Sequence, residues 1–136
     1  MTEKSPKDLD ALTLELTWRT EENLLGSLLI AGSDGSRDSI DAVSKIVSVD
    51  DFLPNHRDEY ARRIYAAMLE SWRTDQISTA NTMHRLGTLK AGDIALMCRL
   101  VAEAVSSLDC ESYAQQVKAL ADERRGKFRP RYLNGV

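Results

Sequence analysis

Three groups of residues able to do chemistry stand out in this chain: the like-acid pairs Glu21-Glu22 and Asp50-Asp51, a set of thiols and imidazoles, and a basic run near the C-terminus. Glu21 with Glu22, and Asp50 with Asp51, have the composition of a general acid and base. Adjacent residues on a helix point about 100° apart, however, so neither pair converges on one substrate atom. They read as helix caps and solvated charges. Cys98, Cys110, His56 and His84 show neither a CxxC pair nor the spacing of a zinc site, and Cys98 falls on an apolar stripe where a small core residue is expected. Both thiols read as reduced and structural. Gly126 and Lys127 are followed by Phe128 and lack the earlier glycine of GxxxxGK[ST], so no phosphate loop forms. No catalytic, cofactor-binding or metal-ligating residue is expected, and the chain does not read as an enzyme.

The basic run "RRGKFRPRYLNGV" interleaves Arg124, Arg125, Lys127, Arg129 and Arg131 with aromatic residues. Such a pattern can grip phosphates and stack on bases. The simplest reading is nonetheless a solvated, partly disordered end, because Pro130 and Gly135 block regular structure. Residues 122–136 carry five basic side chains against two acidic ones in a chain of net charge −3, so the preceding 121 residues hold −6. An acidic body argues against a general nucleic-acid binder, and DNA is expected to bind weakly at most, through the tail.

A chain of 136 residues with 43% hydrophobic content is long enough for one domain with its own core. No apolar run approaches the roughly 20 residues of a membrane span, and "MTEKSPKDLD" lacks the order of a signal peptide. No membrane association is expected, and the expected compartment is the cytoplasm.

The elements that must position these residues are helices. Strict apolar–polar alternation is scarce, whereas spacing by three and four recurs, which predicts an all-α class. A first helix is predicted over about 19–31, with Thr17 or Thr20 as cap and Leu24, Leu25, Leu28 and Leu29 as its buried stripe. Gly26 inside it costs about 1 kcal/mol of propensity and suggests a close backbone approach. Further helices are predicted over about 37–47, 59–72 and 78–87, the last capped by Ser78 or Thr79, with Pro54 interrupting the chain between the second and third. Two more, over about 92–106 and 110–125, are joined by the short "SSLD" and read as an antiparallel hairpin. Leu96, Leu100 and Ala104 lie off the main stripe of the first arm, so the hairpin either meets a second subunit or closes the chain's own core.

"EENLLGSLLI" (21–30), "VSVDDF" (47–52), "IYAAMLE" (64–70) and "YAQQV" (113–117) stand in the order and approximate spacing of the N-terminal domain of DnaB-type replicative helicases, which the chain resembles over about 19–125. Glu21, the Leu25 and Gly26 pair, and Asp51 before Phe52 match the family's pattern. The chain departs from it in having no proline within "TLELTWRT", Ala61 in place of a histidine, Ser78 in place of an aspartate, and about four extra residues between Phe52 and Ile64. The resemblance implies a small globular head of about four helices followed by an antiparallel helical hairpin, and it implies the helicase, primase or helicase loader as partners.

The expected organisation is a flexible segment over 1–16, the helical domain over 17–125 and a basic tail over 126–136. With no motor following, the chain is expected to be a stand-alone interaction module of DNA replication that needs no cofactor. Self-association to a dimer or higher homo-oligomer is expected through Leu96, Leu100, Val101, Ala104, Tyr113, Val117 and Leu120. Two alternatives are a small DNA-binding protein acting through Arg124, Arg125, Lys127, Arg129 and Arg131, and the helicase-binding domain of a DnaG-type primase.

Overall fold

A computed structural model describes residues 11–34, 37–54, 60–74, 77–86, 95, 99–100, 102 and 110–126. Among these residues there are five α-helices and no strand: α1 (Ala11–Asp34), α2 (Arg37–Ile46), α3 (Tyr60–Thr74), α4 (Thr79–Leu86) and α5 (Cys110–Arg124), with a 3-10 turn over Val49–Asp51 between α2 and α3. The all-α class read from the periodicity is the class observed.

The first helix is 24 residues long and starts well before its predicted beginning. Nothing in "ALTLELTWR" stops a helix, since it holds no proline or glycine and is rich in good helix formers. Thr17 and Thr20, expected as caps, are interior residues whose hydroxyls donate back to the carbonyls of Thr13 and Leu16, each at 2.8 Å. A threonine can cap a helix or bond the preceding turn, and here the second option holds. Residues 11–16 are therefore ordered turns of α1 instead of flexible chain; residues 1–10 lie outside the described residues. Those first turns leave Leu12 77% exposed and Leu16 55% exposed, lining a shallow recess with Glu15 and Arg19, which form an ion pair at 3.1 Å.

Further along α1, Leu24, Leu25, Leu28 and Leu29 are buried as predicted. They meet Ile40 and Val43 of α2, Ile64 and Met68 of α3, and Ala114 and Val117 of α5 in one apolar cluster. A close backbone approach is present at Gly32, where a Cβ would lie 2.0 Å from the carbonyl oxygen of Ile77. Gly32 lets the last turn of α1 lie directly on the chain that enters α4.

The remaining helices are joined by specific polar contacts. The indole of Trp72 on α3 donates to Asp41 of α2 at 2.8 Å. Arg85 of α4 reaches Ser71 and Glu70 of α3 at 3.1 and 3.0 Å. Ser78 is the cap of α4, accepting the Asn81 N–H at 3.0 Å, as predicted for this position. His84 is exposed.

The last helix packs along α1 and α2. Cys110, Ala114, Val117 and Ala121 recur along one face of it and are all buried, with Tyr113 packed partly against the core. Of the expected first hairpin arm, Ala95, Arg99, Leu100 and Ala102 are helical, and Leu96, Val101 and Ala104 lie outside the described residues. Leu100 is 2% exposed and belongs to the core cluster, and Arg99 pairs with Glu22 of α1 at 2.5 Å. Leu100 and Val117 were expected at a subunit contact, but the chain's own core consumes both. Both side chains are buried within the chain itself.

Replacing Gly32 by alanine should force α1 away from Ile77 and destabilise the fold by at least about 2 kcal/mol, an overpacking cost with no flexible side chain to absorb it. Urea unfolding read by helical circular dichroism measures this, with an unchanged slope expected.

Candidate functional site

Val47 to Leu53 form the first seven residues of the connection between α2 and α3, and side chains of three helices supply hydrogen-bond partners to their backbone. The chain here is largely non-helical, so its backbone polar groups have few partners of their own and would be costly to bury unpaired. Side chains replace the missing ladder. Tyr65 of α3 donates its hydroxyl to the Val47 carbonyl at 2.8 Å. Arg62 of α3 donates to the carbonyls of Phe52 at 2.8 Å and Asp50 at 3.1 Å. Glu21 of α1, fully buried, accepts the Leu53 N–H at 2.9 Å. Arg124 of α5 donates to the Asp51 carbonyl at 2.9 Å, and Arg125 donates to the Asp50 carbonyl at 2.5 Å.

Asp51 is the centre of this arrangement. Its carboxylate is 1% exposed and accepts the Ser48 N–H at 2.8 Å and the Ser48 hydroxyl at 3.3 Å, closing the 3-10 turn from within. Arg125 donates to its other oxygen at 2.5 Å, and Lys118 stands 3.5 Å from the same atom while also reaching Asp122 at 3.5 Å. Burial by itself would raise the pKa of this carboxyl. The Ser48 amide, the Arg125 hydrogen bond and the positive charges of Lys118 and Arg125 outweigh it and hold the group below its ordinary value. Burial, together with the nearby Asp51 charge, raises the Tyr65 hydroxyl far above its ordinary range, so it is a permanent donor. The rings of Phe52 and Tyr65 stack in tilted fashion at 4.9 Å above this polar layer.

The two carboxylate pairs divide their work as adjacent residues must. Glu21 turns inward to Leu53 while Glu22 meets Arg99; Asp51 is buried while Asp50 is exposed. Glu21 lies three and four residues before Leu24 and Leu25, on the buried stripe itself, and that spacing is the signal for an interior acid. Arg124 and Arg125 were expected among the phosphate contacts of a solvated tail. They are instead drawn into the head by the buried carboxylate and the uncapped carbonyls, and Arg124 is 4% exposed. Lys127, Arg129 and Arg131 lie outside the described residues. Arg62 and Lys118 had no sequence signal beyond their charge. Tyr113 and Leu120, expected at a self-association face, are half-buried on α5. Among the described residues no three His, Cys, Asp or Glu side chains cluster as a metal site, and no helix is long and apolar enough to cross a membrane.

Because the folded-state pKa of Asp51 lies below its ordinary 3.8, its stabilisation is complete above that value and is lost as pH falls through the lower, folded pKa. Wild-type stability should therefore drop on acidification below about pH 4, whereas Asp51→Asn should start about 2 kcal/mol lower at pH 7 and show a flatter acid limb. Denaturant midpoints across the pH range measure both.

Part of this layer is made of residues that the family resemblance singled out. Glu21 and the pair Asp51 and Phe52, 30 positions further on, meet at one place in the structure. The chain matches the DnaB-like helicase N terminal domain over residues 15–119 of its 136. No curated protein and no solved structure matches it. The matched unit is the N-terminal domain of these helicases and not their catalytic ATPase part. With the fold all-helical and the matched stretch covering most of the sequence, the chain belongs to the DnaB-like helicase N-terminal domain family.

Proposed function

We propose that this protein is a non-catalytic interaction module of DNA replication, which self-associates and engages a replicative helicase, a primase or a helicase loader in the cytoplasm. The observation that carries this reading is the family match over residues 15–119, together with the internal frame built from the matched residues. A domain of this family offers the surfaces through which a helicase N-terminal domain meets its partners, and engagement of those partners modulates their assembly.

The self-association surface has to be narrower than the seven residues first considered, since Leu100 and Val117 are core residues. The remaining candidates are Leu96, Val101 and Ala104 on the first arm, with the partly exposed Tyr113 and Leu120 on α5. The reading as a DNA-binding protein loses two of its five cations to the head, Arg124 and Arg125.

Light scattering should show a dimer at micromolar concentration. Leu96→Asp with Val101→Asp should weaken it by about a hundredfold or more, because an unpaired charge would enter a dry interface. Leu100→Asp should instead lower the unfolding midpoint, by an amount equivalent to about 3 kcal/mol or more, since it places the charge in the core. A wild type that remains monomeric at high concentration would overturn the self-association part of the reading.

A further inference from the structure

The first turns of α1 are covered by the rest of the domain on one side only. Thr17 and Thr20 are buried, with their hydroxyls tied to the carbonyls of Thr13 and Leu16, and Glu21 follows them into the interior. At about 100° per residue, Leu12, Glu15, Leu16 and Arg19 fall together on the other side of the helix. All four are exposed, and Leu12 and Leu16 are the large apolar side chains that stand exposed among the described residues. One exposed leucine needs no explanation. Two of them one turn apart, with an acid and a base beside them, make a strip.

The strip is complementary to a copy of itself. Glu15 and Arg19 meet within the chain at 3.1 Å, but their side chains keep 64% and 70% of their exposure, so water screens the pair and little holds it in place. A second α1 laid antiparallel about a two-fold axis between residues 15 and 16 reverses the order of the strip. With about 1.5 Å of rise per residue, Leu16 then lies beside Leu16 of the second copy, and Leu12 lies about 4.5 Å along the helix from that leucine. Arg19 of the second copy falls opposite Leu12, the same distance from Glu15. Leucine meets leucine at the centre, and each Arg19 lays its stem over Leu12 while its guanidinium reaches the opposite Glu15. A parallel pairing would instead set Glu15 against Glu15 and Arg19 against Arg19, which repels.

We propose that the first turns of α1 form a self-recognition surface, in which Leu12 and Leu16 of two copies of this chain pack antiparallel and Glu15 of each pairs with Arg19 of the other. The surface goes beyond the hairpin contact and does not depend on it, since all four residues lie on α1. Four side chains from each copy bury far less than the roughly 1,200 Å² of a stable interface, so the contact is weak, with a Kd on the order of 100 µM. It joins molecules that are concentrated or already held together elsewhere.

The test uses the full chain carrying Leu96→Asp and Val101→Asp, which removes the hairpin contact, and reads association by sedimentation equilibrium up to millimolar concentration. Association should persist there and weaken by about tenfold or more on adding Leu12→Ser and Leu16→Ser, with the unfolding midpoint unchanged because both side chains are exposed. Glu15→Arg alone and Arg19→Glu alone should each give a monomer, since like charges then face each other across the contact. An equimolar mixture of these two variants should associate at least about tenfold more tightly than either by itself, because the reversed side chain of each meets an opposite charge on the other. Residues 15 and 19 still carry like charges within each variant, so an effect confined to one chain cannot produce this recovery. Salt near about 1 M should remove it. The surface is overturned if the hairpin-disrupted chain stays monomeric at millimolar concentration, if the leucine substitutions leave its association unchanged, or if the mixture associates no better than its components. Undiminished association after the hairpin substitutions, abolished by those at Leu12 and Leu16, would assign self-association to α1 and remove it from the hairpin.

Discussion

A buried carboxylate cannot stay charged without partners, and those that Asp51 collects tie the turn after α2 to the last helix. Ser48 comes from just beyond the end of α2, Lys118 from the middle of α5 and Arg125 from its C-terminal end. Around it, Tyr65 and Arg62 bring α3, and Glu21 brings α1. The apolar cluster gives the helices a reason to collapse, but it is non-directional. Pairing the polar groups of a non-helical segment is directional, and it fixes which helix end lies where. Removing one member leaves a buried group unsatisfied, which is more costly than the net value of the bond it made.

The same layer explains why family membership is visible in so short a chain. Leu24, Leu25, Ile64 and Met68 can be exchanged for other apolar residues of similar volume with modest loss. Glu21, Asp51 and Phe52 cannot be replaced so freely, because each meets a particular partner: the Leu53 amide, the Ser48 amide with Arg125, and the Tyr65 ring. These are the letters by which the motifs were recognised.

The apolar periodicity was legible because it depends only on spacing: Leu24, Leu25, Leu28 and Leu29 are buried on α1, and helices stand close to the ranges predicted near 37–47 and 59–72. What failed to show was anything set by a distant partner. Thr17 and Thr20 have the chemistry of caps and became interior residues because positions 11–16 upstream of both also favour helix. Arg124 and Arg125 have the composition of a solvated tail and became interior because of a carboxylate some seventy residues away. Gly26 and Gly32 both interrupt an apolar helix, and the sequence holds no sign that residue 77 would lie against the second. Leu100 and Val117 satisfied both a core and an interface pattern, and the core took them.

The sequence separations within the polar layer also bear on how the head is made. Glu21 and Leu53 are 32 positions apart, while Arg124 and Arg125 find Asp51 across 73 and 74. During synthesis, α1, α2 and α3 emerge with the connecting segment held on one side only, and its Asp50 and Asp51 groups wait for the last turn of α5. Loops of this length close slowly and contribute little until both ends are present. A chain cut short before Arg124 would leave the Asp51 carbonyl, and one cut before Arg125 the Asp51 carboxylate and the Asp50 carbonyl, without the partners that the last turn of α5 supplies.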